Sequence, residues 1–440
     1  MTTIPQVAQA MQTVLNDVAT VAARATKFVQ RQSKLDGAKF VQTLVFTWLA
    51  QPQATLNELS QTAAALGVTI TPQGIDGRFS TAAAECLRQV LEAGVGELIA
   101  GSTAAIDILR RFASVCIEDS TIIELPSALA ETYPGCGGSH GFGQAAAKVS
   151  VRLNLTDGSL TGPCIEKGRI HDRASRVHQV PVSPGVLCME DLGYWNLDTL
   201  QTRSDQGVFW LSRLHSQTTV FDAQGTRRAT IELVRAAHTA VVEVPVLLGI
   251  KQQVPARLIA IRVPQEVADQ RRRRRHDEAR RRQQPLTVRT LDLADWTLLV
   301  TNVPQEQLSG REALVLMTAR WQIELLFKLW KSHSQLDEWA SSNPDRILCE
   351  LHAKLLAVLV QHWLLLIGCW AKANRSWVKA AQTIQKHALH LASHMHQTDP
   401  LIEAITVIAH SLASGCCMNT RKRAPNTYQL LLALSEETLT

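Results

Sequence analysis

Nothing at the amino terminus of this 440-residue chain has the ordered basic, apolar and small-residue zones of a secretory leader. It also lacks an uninterrupted apolar run of membrane-spanning length. The longest candidate, around Leu355 to Trp370, is broken by Gln361 and His362 and preceded by Lys354, so it is expected to be a core helix. The nine cysteines are odd in number, show no C-x-x-C spacing and include the adjacent pair Cys416-Cys417, a pattern that excludes a disulfide framework and a zinc ribbon. A reducing cytoplasm is expected. With 46% hydrophobic residues, the chain can bury a sizeable core in two or three domains.

Charge is unevenly spread. Residues 271 to 282 carry eight arginines against Asp277 and Glu278, which matches the whole formal net charge of +6. Arg271, Arg272, Arg273, Arg274, Arg275, Arg280, Arg281 and Arg282 repel one another unless a polyanion or solvent surrounds them. Phosphate contacts of this kind give affinity without reading sequence and make binding salt-dependent. An exposed linker of biased composition is the plainer alternative.

Three acids stand at places where chemistry concentrates. Asp119 interrupts the β-branched run Val115 to Ile123, and Asp191 follows the apolar run Val186 to Met189, with Gly193 permitting a turn. Both runs read as strands that end at an acid, although a lone Asp there is ordinarily a turn cap. The third acid, Glu324, lies in the segment Met317 to Lys331. At about 100° per helical residue, positions 317, 320, 324, 328 and 331 share one stripe, so Arg320, Lys328 and Lys331 flank Glu324 within an otherwise apolar helix. Side chains at the carboxyl ends of neighbouring strands converge on one crevice. There Asp119, Asp191 and Glu324 would offer Mg²⁺ the hard oxygen ligands it prefers, and two ions about 3.5–4 Å apart stabilise an in-line displacement. The cations would face the phosphates.

The ordered trio with its cationic helix resembles the insertion-sequence transposases of the DDE class, in the group with the signature Tyr-x2-Arg-x3-Glu-x6-Lys. Arg320, Glu324 and Lys331 match its spacings, and Met317 stands where the family has Tyr, removing a phenol hydroxyl from one phosphate contact. The resemblance runs from roughly Val115 to Trp370. It implies a mixed α/β (α+β) fold with a ribonuclease-H-like core: Asp119 on the first strand, a hairpin around Lys148 to Lys167, Asp191 after the fourth strand and Glu324 on a late helix. It further implies that two Mg²⁺ ions, with Mn²⁺ as substitute, serve Mg²⁺-dependent cut-and-paste transposition on double-stranded DNA: the terminal inverted repeats and a target. The resemblance also implies a homodimer in the synaptic complex and a place in a bacterial cytoplasm beside the nucleoid and away from any membrane. The segment Leu293 to Pro304 looks like the strand before the catalytic helix, with Trp296 a stacking partner for an extruded base or a buried aromatic. Two other functions stay open: a catalytically inactive, domesticated DNA-binding protein, and a structure-selective nuclease on the same core.

The expected organisation is a helical DNA-binding region at 1–105, the core in two parts at 106–215 and 309–372, a β-rich insertion with the arginine segment at 216–308, and a helical region at 373–440. The insertion is expected to be all-β, from alternating runs such as 240–248 and 256–263. Near the amino terminus, Thr55 to Glu58 has capping-box spacing for a helix ending near Gly67, and Thr71-Pro72 opens another through Arg78. The pair reads as a helix-turn-helix or a plain helical hairpin. His387, His390 and His394 share a helical face, but no carboxylate or cysteine completes a metal set. A basic cluster, Arg421 to Arg423, lies in the tail.

Overall fold

The structure is a computed structural model describing all residues except 138–143, 236–238, 284, 286–290, 422–424 and 438–440. Lys422 and Arg423 of the basic tail therefore lie outside the described residues. The chain divides into two compact units. One comprises Met1–Ala105, Asp119–Val180 and Gln322–Tyr428; the other comprises Ile106–Glu118, Pro181–Trp321 and Gln429–Thr440. The described strands are β1 (Val115–Leu125), β2 (Ala145–Asn154), β3 (Leu160–Lys167), β4 (Leu187–Glu190), β5 (Phe209–Arg213), β6 (Val220–Asp222), β7 (Arg227–Arg228), β8 (Val241–Leu248), β9 (Val254–Arg262) and β10 (Trp296–Thr301).

In the first unit, helices from both ends of the sequence pack together. The helix Pro344–Cys369 lies against Thr81–Gly96, Gly37–Ala50 and Thr398–Gly415. It is the described helix long and apolar enough to cross a membrane, and 89% of its apolar window is buried inside the protein. Gln361 and His362, which interrupt the run, are themselves buried. His362 Nε2 donates to the Gly158 carbonyl at 2.7 Å, at the turn joining β2 and β3. Gly158 is required there: its φ is +78°, and a Cβ would come within 2.3 Å of Leu366. The expected hairpin is thus present, with Lys148 paired to Glu166, and is pinned at its tip to the core helix.

Thr55 caps the helix Leu56–Ala65 through a capping box with Glu58, as its spacing predicts. Thr71 caps the next helix, but that helix is Pro72–Asp76 and stops short of Arg78. The Gly77 amide bonds back to Gln73, and Ser80 then caps a separate helix, Thr81–Gly96. Ser80 competes successfully for the next turn, leaving the second helix of the expected pair five residues long.

In the second unit, strand order runs β1-β4-β5-β10-β9-β8-β6-β7. The pairs β1/β4 and β4/β5 are parallel; β5/β10, β10/β9, β9/β8, β8/β6 and β6/β7 are antiparallel. In the first unit the remainder of β1 continues the order through β2 to β3. The result is a mixed α/β fold. The inserted segment has β8 and β9 at the two expected runs, with β6 and β7 before them, yet its longest element is the helix Gln265–Arg282. This corrects the all-β expectation for that stretch. Its Gln, Glu, Ala and Arg residues favour helix and offer no period-2 alternation for a sheet face.

Candidate active site

Asp191 directly follows β4, as expected, whereas Asp119 lies inside β1, which does not end at the acid but runs on to Leu125. Parallel pairing of β1 with β4 sets Glu118 opposite Glu190. Asp119 is the residue after Glu118, and Asp191 the residue after Glu190. Both aspartates are half-buried, and each carboxylate takes the amide that follows it: Asp119 Oδ1 accepts from Ser120 N at 2.8 Å, Asp191 Oδ1 from Leu192 N at 2.8 Å. Asp191 also caps the short 3₁₀ turn Leu192–Tyr194, so part of its role is the ordinary one.

Alternation along the strands sends the glutamates to the opposite face. There Glu190 is ion-paired to Arg203, both side chains buried, and Asn196 caps the helix Leu197–Asp205 that carries Arg203. Burial pushes the Arg203 guanidinium down, but Glu190 and Glu118 outweigh it and hold it above its ordinary value. Sequence reasoning missed this buried acid pair with its arginine. Its signal was the repeated Glu-Asp dipeptide, inside β1 and at the end of β4.

Glu324 is half-buried in the first turn of the helix Gln322–Ser332. Further along, Lys331 Nζ donates to the Ile122 carbonyl of β1 at 2.7 Å, and beyond the helix Trp339 Nε1 donates to the Glu124 carbonyl at 3.3 Å. Glu324 and Lys331 share one face of this helix. Lys331 Nζ also lies 3.9 Å from Asp337 Oδ2.

The single stripe from Met317 to Lys331 is not continuous. One helix, Gly310–Ala319, ends at Arg320; the next begins at Gln322. Trp321 N bonds to Thr318 O, a tightened i−3 turn, and the indole is 55% exposed. Met317 thus stands on the first helix, and Glu324, Lys328 and Lys331 on the second. Met317 and Arg320 are buried, and Lys328 is exposed. At the position of the signature tyrosine the chain thus has an apolar packing residue.

A further acid, Asp172, was not foreseen. Its Oδ1 accepts from Ser120 Oγ at 2.9 Å, next to Asp119, and from Lys148 Nζ at 2.8 Å. Burial raises its pKa, but the Lys148 and Ser120 hydrogen bonds prevail and hold it below the ordinary carboxylate range.

The arginine segment is an ordered helix and not a linker. Arg271 donates to the Trp296 carbonyl at 2.9 Å and to Thr297 Oγ1 at 3.0 Å, while Arg272 pairs with Asp269 and Asp295. Arg273, Arg274, Arg280, Arg281 and Arg282 are exposed, with Arg282 2.9 Å from Glu278. Trp296 begins β10, half-buried against the cluster of Val234, Val242 and Ala260.

The family model described as "Transposase DDE domain" matches residues 110–360, more than half of the chain and all three acids. The chain belongs to the DDE transposase family. It is 25% identical over 444 residues to the transposase for insertion sequence element IS231F of Bacillus thuringiensis subsp. israelensis, covering 94% of this chain and 92% of that protein. It is 24% identical over 365 residues to the transposase for insertion sequence element IS1151 of Clostridium perfringens, covering 77% and 76%. Over 106 residues it is 32% identical to the putative transposase InsL for insertion sequence element IS186A of Escherichia coli strain K12, covering 24% and 29%. The protein is an insertion-sequence DDE transposase, an enzyme of DNA cleavage and strand transfer, with the ribonuclease-H-like core of that family. Transposases of this family use divalent metal ions.

Proposed function

We propose that this transposase cuts at the terminal inverted repeats of its own element and joins them to target DNA by a Mg²⁺-dependent cut-and-paste route. Asp119, Asp191 and Glu324 are the proposed ligands of two Mg²⁺ ions, for which Mn²⁺ can substitute. The observation that supports the reading is the tie between the Glu324 helix and β1, where Lys331 Nζ donates to the Ile122 carbonyl on the strand that carries Asp119. Partly exposed carboxylates suit a hard cation that keeps some of its water. Glu118 and Glu190, turned toward Arg203, are the poorer choice. When bound, the ions supply stabilisation of the attacking and leaving oxygens.

The chain's own residues position the DNA. Of the tyrosine-arginine-glutamate-lysine signature, the spacing of Arg320, Glu324 and Lys331 remains, with Met317 replacing the tyrosine. Exposed Lys328 meets a phosphate near Glu324, Arg320 supports the same end, and Lys331 divides its charge between DNA and β1. Trp296 stacks on a base, and the exposed arginines Arg273, Arg274, Arg280, Arg281 and Arg282 hold backbone phosphates, with Arg271, Arg272 and Arg275 closer to the sheet. The helices of residues 1–105 grip the repeat, and a homodimer synapses the two ends.

The test is a cleavage and joining assay on DNA bearing the element's ends. Asp119→Asn, Asp191→Asn and Glu324→Gln are each expected to lose on the order of a hundredfold or more in cleavage, the scale of removing one transition-state stabiliser, while DNA binding persists. Chelation of divalent ions should have the same effect, reversed by Mg²⁺. Full cleavage by any of the three variants sinks the ligand assignment. Binding without cleavage by the wild type would favour the inactive, domesticated protein, and cleavage without joined products the nuclease. Light scattering of the DNA complex should give two protomers.

A further inference from the structure

Within the first unit, the largely apolar core helix Pro344–Cys369 buries a full ion pair, in which Lys354 Nζ meets Glu350 Oε1 at 2.9 Å. Taking two charges out of water is costly, and apolar residues of similar volume would serve the stability of this helix as well or better. Glu350 Oε2 is buried with no hydrogen-bond partner among the described residues, so the pair does not even satisfy its own carboxylate. What Lys354 does satisfy lies outside its helix.

An ammonium has three protons to give. Besides the one toward Glu350, Lys354 Nζ donates to the Gln335 carbonyl at 2.8 Å and to the Glu338 carbonyl at 2.8 Å. Both carbonyls belong to the loop that leaves the helix Gln322–Ser332, on which Glu324 stands. The loop is tightly wound: Leu336 N returns to the Trp330 carbonyl at 3.2 Å, and Glu338 N to the Gln335 carbonyl at 3.2 Å. Gln335 takes a left-handed φ of +44°, which a residue with a Cβ keeps only where its surroundings hold it. Trp339 follows, its ring centroid 5.7 Å from Lys354 Nζ, and gives its indole N–H to the Glu124 carbonyl of β1, the strand that carries Asp119. One buried cation thus gathers a loop that leaves the Glu324 helix and reaches the Asp119 strand.

We propose that Lys354, backed by Glu350, is a positioning residue for the metal-binding carboxylates: it fixes the loop 335–339 and, through that loop, the tie between the Glu324 helix and β1. Lys354 has this role only if Glu324 and Asp119 bind the metal as proposed above, so the role rests on that reading. It acts through the loop and touches neither DNA nor metal. Partners of this outer kind orient ligands, and their loss ordinarily costs tenfold to a hundredfold in metal affinity or activity.

The experiment uses the full-length protein, with Mn²⁺ binding read by electron paramagnetic resonance and Mg²⁺ titration of cleavage on DNA bearing the element's ends. Lys354→Met with Glu350→Leu removes both charges together, so neither is left buried alone, and the melting temperature should stay at the wild-type value or rise. Mn²⁺ binding is expected to weaken about tenfold, and the Mg²⁺ concentration for half-maximal cleavage to rise by the same factor. Trp339→Phe keeps a ring, leaves the core helix alone and loses the tie to Glu124; it should weaken Mn²⁺ binding about threefold, the scale of one hydrogen bond. Wild-type Mn²⁺ affinity in a double variant of normal melting temperature would overturn the proposal, because a clamp that serves only stability does not set metal affinity. Should the double variant melt early, Trp339→Phe decides: weakened Mn²⁺ binding supports the role, and unchanged binding overturns it. If Glu324→Gln binds Mn²⁺ as the wild type does, the ligand assignment itself falls. If Glu324→Gln loses the ion while the clamp variants hold it normally, the positioning role alone is wrong.

Discussion

Glu118 and Glu190 illustrate how a single alternation separates structure from chemistry. Each precedes an aspartate, and each faces away from it, toward Arg203. Removing Arg203 would take from the buried Glu190 carboxylate its ion-pair partner, and a buried pair broken on one side typically loses about 3–5 kcal/mol. Arg203→Met is therefore expected to destabilise the second unit by about 3–5 kcal/mol in a denaturant titration. If the midpoint is unmoved, the ion pair contributes little and the Glu face is better hydrated than its burial implies. Asp119 and Asp191 were legible because an acid at the end of an apolar run breaks a visible pattern. Arg203 was not, since it sits thirteen residues beyond Glu190 in a polar helix and only tertiary folding brings it back. Asp172 was hidden for the same reason, with its partners Lys148 and Ser120 far off in sequence.

Elements were legible wherever a local rule decided them. Thr55 and Glu58 fix a helix start by themselves, and the hairpin of β2 and β3 follows from its own runs. The interruption at Arg320 and Trp321 was invisible because no glycine or proline marks it. The arginine helix was obscured for another reason: as a sequence it shows only repulsion, whereas the helix disposes the charges on different faces and pairs Arg272 with Asp269 and Asp295. That division predicts two separable phenotypes. Arg273→Gln with Arg274→Gln, on the exposed side, should leave thermal stability unchanged and make the salt dependence of DNA binding shallower by roughly one unit for each phosphate that is no longer neutralised. Arg272→Gln should instead lower the melting temperature, because the Asp295 carboxylate that anchors the helix beside β10 loses its partner. A fall in melting temperature for the exposed pair would show that those arginines also serve the fold.

At the scale of the molecule, the first unit holds its core around a helix that buries two histidines, His352 and His362. Burial pushes both down to about 4, helped by the nearby Arg88 for His352 and by Arg375 for His362. The Gly158 carbonyl, which accepts from His362, acts in the opposite direction and is outweighed. Unfolded, each imidazole would titrate near its ordinary value of 6.5. Between about 4 and 6.5 the unfolded chain therefore binds protons that the folded unit refuses. Stability must rise with pH across that window and fall as the solution is acidified through it. Two such groups give a limiting slope of about 2.7 kcal/mol per pH unit, from about 1.36 kcal/mol for each. Asp172, held below the usual carboxylate range, extends the loss to lower pH once its folded-state value is approached. Urea titrations at intervals from pH 7 to pH 4.5 should show the decline begin below the ordinary histidine value, while His352→Gln, which cannot titrate, should reduce the slope by about half. A pH-independent midpoint over that range would mean that the histidines reach water or a proton acceptor in the folded unit. The same core helix that looked from its composition like a membrane span would then owe less of its stability to the exclusion of charge.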